Sequence, residues 1–140
     1  MTSDPTISEA VATAGAPTPR AAYSQALRRG PFLFLSGQVG TDPRTGQLVS
    51  ADVGDQTRQT LANLEAVLTA AGGSWSDVVS MRVYLVDQAD YRAMNAVYDA
   101  VVVAPYPART TIYCGLNPGN RVEIDAVAMR PEQGRSTTDQ

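Results

Sequence analysis

The 140-residue chain contains no histidine. All 11 of its basic residues are arginine, so it has no lysine either, and it has a single cysteine, Cys114. Each absence removes a mechanism. Ser–His–Asp and Cys–His centres need an imidazole base. Schiff-base chemistry and the Walker A phosphate loop need a lysine. A structural zinc site needs a cluster of cysteine and histidine ligands. One cysteine also forms no internal disulfide, so the redox compartment stays open. Apolar runs are short, far below the roughly 20 residues of a membrane span. The N-terminus lacks a basic start followed by an apolar stretch, so no signal peptide is expected and a cytoplasmic location is the default. The net charge of −3 disfavours nucleic acid, whose phosphates call for a basic patch.

What remains for chemistry is arginine, carboxylates, hydroxyls, tyrosine and backbone dipoles. The length fits one domain. A content of 44% hydrophobic and 18% charged residues fits a packed core. Residues 1–20 are rich in Ser, Thr, Ala and Pro and read as a mobile extension, with a short helix over Ile7 to Ala14 as its one candidate element. Residues 131–140 read as a polar tail. The folded domain is expected over 21–130.

The first strands are expected at Tyr23 to Arg29 and Phe32 to Gln38, joined by Gly30-Pro31. Phe32-Leu33-Phe34-Leu35 is apolar throughout, which predicts burial on both faces. Ser36-Gly37-Gln38 breaks the run, and a glycine there predicts a bulge or a close approach to the backbone. A helix follows over about Val53 to Ala71, with Asp52 as N-cap and Gly72-Gly73 as its stop. A second runs over about Asp90 to Val103, with Tyr91, Met94, Val97, Tyr98 and Val101 on one side. Between them, Val78 to Val86 alternates as a strand with one core face. Strands at Arg109 to Tyr113 and Arg121 to Met129 complete the order β-β-α-β-α-β-β. This is an α+β fold, a mixed sheet with both helices on one face. Tyr84, Val127 and Met129 would lie on the opposite face, apolar enough to be buried against another subunit.

Polar residues inside strands are the site candidates. By alternation Arg109 and Thr111 face the same way, and Arg109 can grip a carboxylate by paired hydrogen bonds. Glu123 lies in an otherwise apolar strand with Asp125 on its side. A carboxylate held in a semi-apolar cleft has a raised pKa and can orient or deprotonate water. An arginine and a glutamate on late strands, Arg109 and Glu123, are also read as a structural ion pair or as solvated groups. Asp125 could pair with Arg82 or Arg121, and Asn95 reads as a helix-bridging residue. Trp75 reads as a packing anchor.

Several segments in order carry a resemblance. They are Tyr23-Ser24-Gln25-Ala26, Leu35-Ser36-Gly37-Gln38, the stretch Gln56 to Leu64, Asn95-Ala96-Val97-Tyr98, Pro107-Ala108-Arg109, Asn117-Pro118-Gly119 and Val122 to Ala128. Together they span about 110 residues and resemble the RidA family of enamine/imine deaminases. The resemblance implies a fold like the bacillus-type chorismate mutase, and a homotrimer with a central barrel and clefts between subunits. It implies Arg109 as anchor of a small substrate's carboxylate and Glu123 as the residue that positions water. It implies that Tyr23, Ser36, Gly37 and Thr111 line the cleft and that Tyr91 closes it from a neighbouring subunit. No cofactor or metal is implied. The expected reaction is hydrolysis of 2-aminoacrylate-like acids to 2-keto acids and ammonia. Alternatives are a pathway-specific imine hydrolase or isomerase for a larger substrate, or a non-catalytic module that binds carboxylate metabolites. Ala21-Ala22 stands where the family usually has Gly-Pro, Thr111 where many members have cysteine, and Leu116-Asn117-Pro118 where Leu-Pro is commoner.

Overall fold

The computed structural model describes residues 4–130. Strands β1 (Glu9–Val11), β2 (Ala26–Arg29) and β3 (Phe32–Gln38) come first, then helix α1 (Val53–Ala70). Strand β4 (Val78–Leu85), helix α2 (Tyr91–Val101), β5 (Ala108–Tyr113) and β6 (Val122–Met129) follow. The six strands form one sheet in the order β1-β2-β3-β6-β4-β5. The β4–β5 pair is parallel and the other pairs are antiparallel. Parallel neighbours need a crossover, and α2 supplies it.

Helix limits follow local signals. The Asp52 side chain accepts from the Asp55 backbone N–H and caps α1. At the other end Gly72 takes φ +84°, and the Gly73 N–H turns back to the Leu68 carbonyl, a glycine-terminated stop. The stripe of Leu61, Leu64, Val67 and Leu68 is buried, as are Met94, Val97 and Tyr98 of α2. Both helices therefore cover one sheet face, built from Leu33, Leu35, Met81, Val83, Leu85, Ile124 and Ala126.

Two expectations are corrected. The segment 7–14 carries a strand, not a helix. Glu9, Ala10 and Val11 pair with Arg28, Leu27 and Ala26, because an open β2 edge outweighs a weak helical preference. The buried Gln25 amide secures the chain that follows. It accepts from the Thr13 N–H at 2.7 Å and lies within hydrogen-bonding distance of the Thr13, Ala16 and Pro17 carbonyls. Second, Phe32–Leu35 is not buried on both faces of the chain. Leu33 and Leu35 are buried, while Phe32 and Phe34 are 42% and 48% exposed, because two helices cover only one side. Leu27, Phe34 and Val127 fall in register across the open face, beside Phe32 and Met129. The tail at 131–140 lies outside the described residues.

Gln25→Leu keeps the side-chain volume but leaves several buried backbone groups unpaired. It should lower stability by about 2–3 kcal/mol, read as a shift of the urea midpoint at fixed protein concentration. A change within error would show that the amide is dispensable.

Candidate active site

Strand alternation places two groups of polar residues on opposite sides of the sheet. On the open face, Glu123 lies opposite Tyr84 and Asp125 opposite Arg82. Asp125 is fully engaged. It accepts from Arg82 Nε at 2.9 Å and from the Tyr84 hydroxyl at 2.8 Å. The Glu123 carboxylate has no hydrogen-bond donor among the described residues. It packs instead against the β3 backbone, where the register with β6 shifts between Leu35 and Gln38. A methyl group in place of the Gly37 hydrogen would overlap Glu123 Oε2 and lie 3.0 Å from the carboxyl carbon. The glycine foreseen as a bulge or close approach is thus both. Burial raises the Glu123 pKa above the ordinary carboxylate range, and the nearby Asp125 charge raises it further. The carboxylate opens into a cavity of about 840 Å³ that Tyr23, Ser36, Gly37, Asn117 and Asn120 also line. Tyr23 lies just before β2 and is 53% exposed. The Ser36 hydroxyl donates to the Ser24 carbonyl at 2.6 Å, so it braces the loop.

Arg109 lies on the helix side. It pairs with Met81 across β4, and Thr111 pairs with Val83, both inward-facing residues. Helix α2 crosses directly above. Arg109 Nη1 donates to Asn95 Oδ1 at 2.8 Å and Nη2 to the Tyr91 hydroxyl at 2.7 Å. The guanidinium stacks 4.7 Å from the Tyr98 ring centroid and 5.7 Å from that of Tyr91. Its partners are neutral, and among the described residues it forms no ion pair. The Thr111 hydroxyl oxygen is buried without a hydrogen-bond partner. Arg109, Tyr91, Asn95 and Tyr98 border a separate cavity of about 300 Å³, together with Asp99, which accepts from the Asn95 amide. Thr111, expected to line the cleft, is not in its wall.

Within one chain, then, Arg109 and Glu123 are not brought together. Tyr91, expected from a neighbouring subunit, touches Arg109 of its own chain. Asn95 is a direct Arg109 partner, and its spacing in α2 gave no sign of that. Arg82 and Tyr84 were absent from the expected site, although the alternation of β4 puts them on the side of Glu123. Arg121 instead pairs with Asp90 at 2.7 Å. Its backbone N–H also donates to the buried Gln56 amide, which reaches the Ser50 and Gly119 carbonyls. This clamp fixes the loop carrying Asn117 and Asn120 against α1. Among the described residues no group of three or more His, Cys, Asp or Glu is placed to hold a metal ion.

A family model described as Endoribonuclease L-PSP matches residues 13–130. The chain is 38% identical over 133 residues to a human protein named 2-iminobutanoate/2-iminopropanoate deaminase, covering 94% of this chain and 95% of the relative. The chain belongs to the RidA family. It is also 43% identical over 123 residues to a RutC family protein of Pyrococcus horikoshii, covering 87% of this chain and 98% of that one. The crystal structure of RidA from an Antarctic Psychrobacter superimposes with a TM-score of 0.83 at 37% identity, covering 86% and 98% of the two chains. The mixed sheet with its two helices therefore matches the fold of RidA structures.

The raised pKa of Glu123 has a defined sign. The folded chain binds that proton more tightly than the unfolded chain does, so the ionised carboxylate costs stability. The cost is absent below the ordinary glutamate range of about 4 to 5 and complete once pH exceeds the folded-state pKa. Glu123→Gln removes it. The stability of this variant relative to wild type should therefore rise between pH 4 and pH 7.5, measured by urea denaturation at both. A gap that shrinks with rising pH would mean that the site favours the charged form.

Proposed function

We propose that the chain hydrolyses small enamine and imine carboxylates of the 2-aminoacrylate type to 2-keto acids and ammonia. It would do so as a homotrimer with a central barrel, arranged like the bacillus-type chorismate mutase. The observation that carries the reading is the state of Arg109. Neutral groups hold its guanidinium in place. No described carboxylate forms an ion pair with it, Asp99 in the same cavity bonding the Asn95 amide instead, so its fork is open to a substrate carboxylate. The names of relatives at similar identity, including the human deaminase, point to the same chemistry.

The open face supports the assembly. Phe32, Phe34, Leu27, Val127 and Met129 form an apolar surface on a sheet that lacks a second layer, and such a surface favours burial against other copies. In that arrangement Arg109 of one chain and Glu123 of another would border one cleft. Arg109 would grip the substrate carboxylate by paired hydrogen bonds. The imine carbon is already electrophilic. Protonation of the enamine carbon by solvent gives the iminium form. Water attacks its carbon while Glu123 accepts the water proton, and a neutral carbinolamine forms. Glu123 then returns that proton to nitrogen, and ammonia leaves as the carbinolamine hydroxyl gives its own proton back to the Glu123 carboxylate and becomes the carbonyl of the keto acid. Burial raises the Glu123 pKa, so it holds a proton more readily than an exposed carboxylate does, and the chain has no histidine to compete. Positioning of substrate and water supplies the rest of the rate. The net charge of −3 and the acidic side chains of the larger cavity favour this reading over the RNA cleavage named in the family description. Among the described residues no helix is long and apolar enough to cross a membrane, in keeping with a cytoplasmic site of action.

The test is keto-acid and ammonia release from freshly generated 2-aminoacrylate. The wild type should accelerate it. Arg109→Ala should lower kcat/KM by about 100-fold, as the loss of a desolvated charge pair does. Glu123→Gln should lower kcat by about 100-fold or more with little change in KM. Absence of acceleration by the wild type would overturn the proposal and favour the binding-module alternative.

A further inference from the structure

A second cavity of about 540 Å³ adjoins the one that holds Glu123, and the two share Tyr23, Gly37, Val39, Asn117 and Asn120 in their walls. Their electrostatics differ. The larger cavity is lined by two carboxylates, Glu123 and Asp125, and by Arg82, whose charge Asp125 already meets. The smaller one has a single charged lining residue, Arg20, and no carboxylate. Arg20 forms no ion pair among the described residues. Its guanidinium makes one long hydrogen bond, from Nη2 to the Gly46 carbonyl at 3.5 Å, at the outer limit of a useful contact. The acid of the neighbouring turn, Asp42, is engaged by Arg44. Arg20, exposed to solvent and without a carboxylate partner among the described residues, therefore borders a cavity that shares walls with the one holding the proposed base.

We propose that Arg20 recognises a second anionic group on the substrate, so that imines of dicarboxylic 2-amino acids are preferred over their monocarboxylic counterparts. The inference rests on the deaminase reading above and deepens it. Arg109 would take the carboxylate next to the reacting carbon. A side chain bearing a second carboxylate would run past Tyr23 and Gly37, away from the negative charge of Glu123 and Asp125, to Arg20. A planar guanidinium suits bidentate capture of that group. An apolar side chain of the same length would leave the cation with water alone.

The experiment has a kinetic arm and a binding arm. In the first, 2-iminopropanoate and 2-iminoglutarate are generated in situ by amino-acid oxidases, and kcat/KM is compared for wild type, Arg20→Leu and Arg20→Lys. The ratio of dicarboxylate to monocarboxylate kcat/KM should fall about tenfold in Arg20→Leu, the size of a partly solvated charge-assisted hydrogen bond. The fall should lie in KM. Arg20→Lys should recover part of it, and high salt should compress the wild-type ratio. A ratio that does not respond to Arg20→Leu overturns the proposal. In the second arm, calorimetry measures the keto acids 2-oxoglutarate and pyruvate. Wild type should bind 2-oxoglutarate more tightly, and Arg20→Leu should remove the difference. Equal affinities in wild type overturn the proposal even where deamination is observed. A wild type that discriminates in binding but accelerates neither imine retains the Arg20 assignment for ligand recognition and overturns the deaminase reading instead.

Discussion

The period of two in a β-strand, acting on a sheet covered on one face, is the constraint from which the other features follow. Alternation sends Arg109 and Thr111 of β5 under α2. It sends Glu123 and Asp125 of β6 to the uncovered side. No rotamer change carries a side chain through a hydrogen-bonded sheet, so the cation and the carboxylate of the proposed reaction stay apart within a chain. The same uncovered side carries the apolar row around Phe34. One geometric fact thus leaves the surface unpaired and the site divided, and assembly of identical chains would answer both.

Each half of the site is built to hold one group without neutralising it. Around Arg109 the partners are an amide oxygen, a phenol and two aromatic faces. They orient the fork and lower its desolvation cost without forming an ion pair with it. Around Glu123 the backbone at Gly37 supplies the wall, and Asp125 supplies like charge from a distance fixed by Arg82 and Tyr84. A carboxylate with no donor of its own and a raised pKa takes a proton from water more readily than an exposed one. That is the role a histidine fills in other hydrolases, and this chain has none.

Much of this was legible in the sequence, and what was not has a physical reason. Local signals carried the Asp52 cap, the Gly72-Gly73 stop and the irregularity at Gly37, because each is set by neighbouring residues. Alternation carried the pairing of Arg109 with Thr111 and of Glu123 with Asp125 on their respective faces. The strand at Glu9–Val11 was missed because its stability lies in the β2 edge and in the Gln25 amide, both distant from it in sequence. Exposure of Phe32 and Phe34 was missed because burial depends on how many layers cover the sheet. The Asn95–Arg109 and Tyr91–Arg109 contacts depend on how α2 docks over β5. No spacing within either segment encodes that angle.

The claim that one cleft is shared between chains is tested most directly by subunit mixing. Arg109→Ala and Glu123→Gln chains are unfolded together in equal amounts, refolded and assayed with 2-aminoacrylate. If one chain supplies the arginine and its neighbour the glutamate, random assembly of a ring leaves about a quarter of the clefts with both groups intact. Activity should then return to about a quarter of the wild-type level, although each variant alone is deficient. Mixed oligomers of verified composition that recover no activity would contradict a shared cleft and require both groups to act from one chain.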